Sequence, residues 1–129
     1  MDRIDSDPSF VPAPVRLARP LIQRFCRSRH CPPEHRWHAR STLPVLALFV
    51  GTIEEPSSRG LAWEALDPDA LLCASLEVDP DERAFLRDLF DVSASFYAFL
   101  AEEHLVPGPR ASAIRARLAQ LAVGLRSVA

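Results

Sequence analysis

Between Cys26 and His38 the chain reads CRSRHCPPEHRWH, a run holding two of its three cysteines, three of its four histidines and one of its two tryptophans. Thiolate sulfur and neutral imidazole nitrogen are the ligands of tetrahedral zinc, which takes four of them in a structural site. Cys26 and His30 are four residues apart and share a face on a helix; Cys31 and His35 repeat that separation, and His38 follows three residues later. The arginines between them favour the thiolate form. Cys26, His30, Cys31, His35 and His38 are therefore the candidate metal ligands, with zinc the implied ion. Structural zinc sites commonly present two separated ligand pairs, whereas this run is contiguous and interrupted by Pro32 and Pro33.

The same segment suits nucleic acid in a different way. Arg24, Arg27, Arg29, Arg36 and Arg40 would meet phosphates, and Trp37 offers a ring on which a base can stack. A third reading makes it an ordinary turn between helices, with Trp37 docked on the core and the arginines solvated. Thiols and imidazoles become ligands only if the fold brings them together, so the surrounding elements decide.

All fifteen positive side chains are arginine. Arginine suits bidentate contact with phosphate or carboxylate, although a genome rich in G and C produces the same bias everywhere. Charge is segregated beneath the net value of −2. Residues 16–40 hold seven arginines and one acid, residues 41–109 thirteen acids and three arginines, and residues 110–129 four arginines and no acid. Either the basic ends fold back on the acidic middle, or they form a basic surface for an anionic partner.

The composition, 48% hydrophobic and 25% charged over 129 residues, is that of one globular domain. The longest apolar run, Leu43 to Ile53, is far short of the ~20 residues needed to cross a bilayer. The opening MDRIDSDPSF is acidic and lacks a secretory pattern, and three cysteines make no closed disulfide framework, so the expected compartment is the cytoplasm.

Residues 1–15, with three prolines and no periodicity, read as a flexible arm ahead of a single helical domain over 16–129. A first helix is expected from Pro20, whose fixed φ suits the first helical position, with Leu21, Ile22, Phe25 and Cys26 on its apolar side. A second follows a Ser41 or Thr42 cap; its apolar run would also fit a buried strand, but no other segment could pair with it. Asp67-Pro68-Asp69 and Asp79-Pro80-Asp81-Glu82 are helix starts, each with a capping carboxylate, a proline at the first position and acids at the positive end of the helix dipole. From Pro80 to about Leu105 neither glycine nor proline interrupts the chain, and Phe85, Leu89, Val92, Phe96, Phe99 and Leu100 fall on one helical face. A last helix from about Arg110 places Ile114, Leu118, Leu121, Leu125 and Val128 on a seam that needs a facing helix, either within the chain or in a second copy. The expected architecture is all-α, a small bundle of about five helices.

Several chemistries lack their residues. With glycine only at 51, 60, 108 and 124, no glycine-rich loop can cradle a phosphate. Neither a nucleophile elbow nor a histidine pair with intervening glutamate is present. Glu102, Glu103 and His104 are consecutive and point in different directions, as a solvated helix end does. The expectation is a non-catalytic binding or interaction module without a cofactor, unless zinc occupies the Cys26–His38 run; its partner is a protein, a second copy bound through 110–128, or nucleic acid, and not a membrane.

The stretch SFYAFLAEEHLVPGP, Ser95 to Pro109, resembles the last helix of the SAM-like core-binding domain of tyrosine recombinases in its aromatic pair, acids and short proline exit. Thr42 to Phe49 and Asp67 to Leu76 are similar to that domain's first and second helices. The resemblance implies a helical module that clasps DNA. The family's catalytic domain, with its arginine, histidine and tyrosine, has no counterpart here, and the resemblance assigns no functional residue.

Overall fold

The structure is a computed structural model describing residues 11–57, 60–78 and 83–127. Among these residues there are five α-helices and no strand: α1 Ala13–Cys26, α2 Arg36–Ile53, α3 Pro68–Val78, α4 Arg83–Glu102 and α5 Gly108–Ser127. Short 3-10 turns at Pro33–His35 and Trp63–Ala65 complete the connections. The all-α expectation and the helix count both hold.

Helix α4 is the central element, packed against α5 and α2, while α1 packs on α2 and α3 on α5. It runs unbroken over the described residues, with Leu86, Leu89, Phe90, Val92, Phe96, Tyr97, Phe99 and Leu100 buried. Phe85 is only half-buried, at the edge of the same face. Phe96 is the hub of an aromatic cluster, with Trp63 at 5.1 Å, Phe25 at 5.4 Å, Phe99 at 6.1 Å and Tyr97 at 6.3 Å between ring centroids. The Tyr97 hydroxyl donates to the Trp63 carbonyl at 2.7 Å, so the one polar atom of that ring is satisfied; burial pushes its phenol up. The Asp79-Pro80 start expected for this helix lies outside the described residues. Its end comes at Glu102 rather than near Leu105. There His104 adopts a left-handed φ of 60°, its N–H bonds the Ala101 carbonyl, and the Leu105 N–H reaches the Leu100 carbonyl. That is the Schellman closure, with histidine where glycine is usual.

Two helix starts differ from expectation. Helix α1 begins at Ala13, so the arm does not extend to residue 15, and Pro20 lies inside the helix. The carbonyl of Pro12 accepts from Val15 and Arg16, and Pro14 sits in the first turn, where a missing N–H costs nothing. Pro20 removes one ladder bond on the solvent side, and burial of Ala18, Ile22, Phe25 and Cys26 on the other side offsets the loss. Helix α2 likewise begins at Arg36, not at Ser41 or Thr42, and carries Pro44 within it. The two hydroxyls do not cap; both donate back to the His38 carbonyl, at 3.1 and 2.6 Å. Helix α3 starts as read, with the Asp67 carboxylate accepting from the Asp69 N–H at 3.1 Å.

At Gly51, α2 passes close against Pro14 of α1. A Cβ there would lie 2.5 Å from Pro14 Cγ, and the ring cannot swing aside. Gly51→Ala is therefore expected to destabilise the fold. Overpacking costs about 1–3 kcal/mol, against the ~1 kcal/mol that alanine gains over glycine in a helix. Urea unfolding of Gly51→Ala, Pro14→Ala and the double variant tests this. The double variant should recover most of the loss, and additive losses would refute a clash with Pro14.

The α5 seam is used inside the chain: Ile114 and Leu118 are fully buried, while Leu121 and Leu125 are partly buried. Val128 lies outside the described residues.

Candidate functional site

The turn from α1 into α2 carries the whole Cys26–His38 run. Helix α1 ends at Cys26, the chain reverses through Pro32 and Pro33, and α2 departs at Arg36. Cys26 and Cys31 are both buried in this corner, at 4% and 3% exposure. Burial, reinforced by the neighbouring Cys26 thiol and opposed by Arg36 and Arg40, pushes the Cys31 thiol up to about 11. A thiol so raised stays protonated near neutral pH.

The three histidines go elsewhere. His30 Nε2 is paired with the Glu102 carboxylate at the end of α4. His38 Nδ1 lies 3.3 Å from the Asp88 carboxylate. Asp88 and Glu102 are fourteen residues apart on α4, about 21 Å at the helical rise, so these two histidines are held at widely separated points. His35 meets only the His38 ring, at 6.3 Å. Among the described residues no three His, Cys, Asp or Glu side chains lie together where they could hold a metal ion. The five expected ligands are thus not assembled: the chain reversal keeps the thiols in the corner and aims the His30 and His38 imidazoles at different acids of α4.

Trp37 is not docked on the core. It is 72% exposed on the outer side of α2, and Ala39, Thr42 and Leu43 bury the inner side.

The arginines divide into two sets. Arg24 pairs with Glu103 and lies over the Phe99 ring at 5.8 Å, and Arg29 reaches Glu102 at 3.4 Å. Pairing with His30 first, and then with Arg29, holds the Glu102 carboxyl below the usual range. At the other end of the chain, Arg110 donates to the carbonyls of Glu64 and Leu66 at 2.8 and 2.9 Å. Arg117 grips Asp69 with both nitrogens, at 2.6 to 3.1 Å, and holds that carboxyl low. Arg24, Arg29 and Arg117 thus complement acids of the same chain, and Arg110 ties α5 to the backbone of residues 64–66. The second set is Arg27, Arg36 and Arg40, which line a recess of about 330 Å³ together with Ile22, Gln23 and Cys26. Among the described residues no carboxylate lines it. Arg36 Nε donates to the Cys26 carbonyl at 3.0 Å, which closes the end of α1 and fixes that guanidinium in place.

A second recess of about 290 Å³ shares Ile22, Gln23 and Arg40 and adds Val15, Arg19 and Pro44. The two form one groove. Arg19 and Gln23 of α1 and Arg27 at its C-cap recur every four residues, and Arg36, Arg40 and Pro44 do the same along α2, so two rows of adjacent side chains face each other across it. Arg24 and Arg29, expected among the phosphate contacts, are instead engaged with α4. Arg19 and Gln23 were not expected there; their signal is the four-residue spacing with Arg27, visible only once α1 begins before Pro20. A third recess of about 410 Å³ has the opposite character, with Glu54, Glu55 and Glu64 on its walls.

No family model, curated protein or solved structure matches this chain. Among the described residues no helix is long and apolar enough to cross a membrane.

Proposed function

We propose that this chain is a non-catalytic α-helical binding module that receives an anionic partner in the groove between α1 and α2. One observation carries the reading: Arg27, Arg36 and Arg40 converge on a recess that no carboxylate lines among the described residues, while Arg24, Arg29 and Arg117 meet acids of their own chain. Guanidinium groups remain charged at all physiological pH values and supply neither a base nor a nucleophile, so they serve recognition rather than reaction.

Charge reversal tests location against net charge. Arg27→Glu with Arg40→Glu is expected to weaken retention on a heparin column tenfold or more, about 1.4 kcal/mol. Arg83→Glu with Arg115→Glu changes the net charge equally at exposed sites on α4 and α5 and should elute close to the unaltered protein. Equal loss in both pairs would show a diffuse charge effect and remove the groove as the binding face.

A further inference from the structure

Resting on that reading, we infer that the ligand of the α1–α2 groove is single-stranded nucleic acid, its phosphates passing Arg19, Arg27, Arg36 and Arg40 and one base stacked on Trp37.

The shape of the groove selects a chain of charges over a single anion. Arg19 lies on α1 and Arg27 caps its C-terminal end, eight residues further on, about 12 Å along the axis. One phosphate or carboxylate cannot satisfy both, whereas a polyanion tracking the groove can. The guanidiniums stand on both walls, Arg19 on α1 with Arg27 at its C-cap, and Arg36 and Arg40 on α2, so a backbone lying between them is contacted from two sides. Ile22 and Pro44 give the floor an apolar character suited to sugar rings, and Gln23 adds both a donor and an acceptor.

Trp37 separates nucleic acid from an acidic peptide, and one strand from two. Tryptophan is seldom left this open to water, and its ring here is 72% exposed. It precedes Arg40 by one turn, which makes the two neighbours on the surface of α2. An aromatic plane beside a guanidinium is the pairing that holds unstacked bases, which every nucleotide offers regardless of sequence. Polyglutamate has no ring for it. A duplex keeps its base faces stacked on one another, so the indole would have nothing to stack on.

Fluorescence reads the contact directly, because Trp63 is buried at 4% exposure and a quencher in solution reaches Trp37 first. Adding a short oligothymidylate should quench the emission. Anisotropy of the labelled oligomer should give a log–log salt slope of about −3, four phosphates at ~−0.7 each. Trp37→Ala should weaken binding roughly tenfold with that slope retained, and Trp37→Phe should recover most of the loss. Arg27→Ala with Arg40→Ala should flatten the slope by about 1.4. Circular dichroism confirms that each variant is folded; Trp37 contributes little to packing, so its variants remain informative. Polyglutamate binding through Arg27 and Arg40 while oligothymidylate is ignored would overturn this inference and leave the binding module standing. A duplex bound more tightly than the single strand would overturn it equally. If neither polymer binds, the groove reading falls too.

Discussion

Phe96→Ala is expected to cost about 3–5 kcal/mol of stability, the range for deleting a buried aromatic ring. For a domain whose whole margin is of order 5–15 kcal/mol, that is enough to leave a sizeable unfolded fraction at 37 °C. The effect is large because Phe96 touches elements from across the chain. Its ring meets Phe25 from α1, Trp63 from the second 3-10 turn, and Tyr97 and Phe99 of its own helix. Edge-to-face and offset pairs of this kind contribute about 0.5–1.5 kcal/mol each beyond area burial. The cavity left by alanine is walled by these large rings, which cannot collapse far. Phe85→Ala is the matched comparison: the same residue type on the same helix, but half-buried. Urea titration followed by circular dichroism should place its loss well below that of Phe96→Ala. Equal losses would mean that the cluster around Phe96 is not where the core's cohesion lies.

The strength of α4 is also why it is legible in the sequence. Its apolar positions recur at the helical period with no glycine or proline between them, and burial follows that period residue by residue. Asp67-Pro68-Asp69 is legible for a different reason: capping is local, so a carboxylate and an N–H two residues apart suffice to predict it. The prolines of α1 and α2 are misleading because their effect depends on which side of the helix they face. Pro20 and Pro44 each remove one hydrogen bond, and whether the helix continues is decided by what the opposite side buries. That is tertiary information. The Cys26–His38 run shows the same limit more sharply. Its spacing permits a tetrahedral site, yet the partners of His30 and His38 lie far along the chain, at Glu102 and Asp88. Composition shows two basic ends and an acidic middle, and folding back on the middle accounts for only some of the arginines. Arg24, Arg29 and Arg117 complement the middle, whereas Arg27, Arg36 and Arg40 do not. Which arginine belongs to which set depends on where α4 ends relative to the α1–α2 corner, and no local pattern encodes that.

Leu118→Ala is expected to cost about 2–5 kcal/mol, and its dependence on protein concentration distinguishes the two uses of the α5 seam. Leu118 is fully buried with Ile114, and Ala111 and Ala122 continue the same face, one turn away on either side. Helix α5 packs chiefly on α4, so the atoms removed by the substitution are lost from the interior of one chain. Unfolding of both the original protein and the variant should then have a midpoint independent of concentration. If the seam were an interface between copies, dissociation would be coupled to unfolding and the midpoint would climb with concentration by mass action. Val123, 57% exposed on the outer side of α5, provides the control. Val123→Ala should change stability by no more than ~0.5 kcal/mol, as surface substitutions usually do. A partner that takes α5 must therefore bind through Val123 and its exposed neighbours. Binding through Leu118 would require α5 to leave α4, at a cost set by the Ile114 and Leu118 burial that this measurement reports.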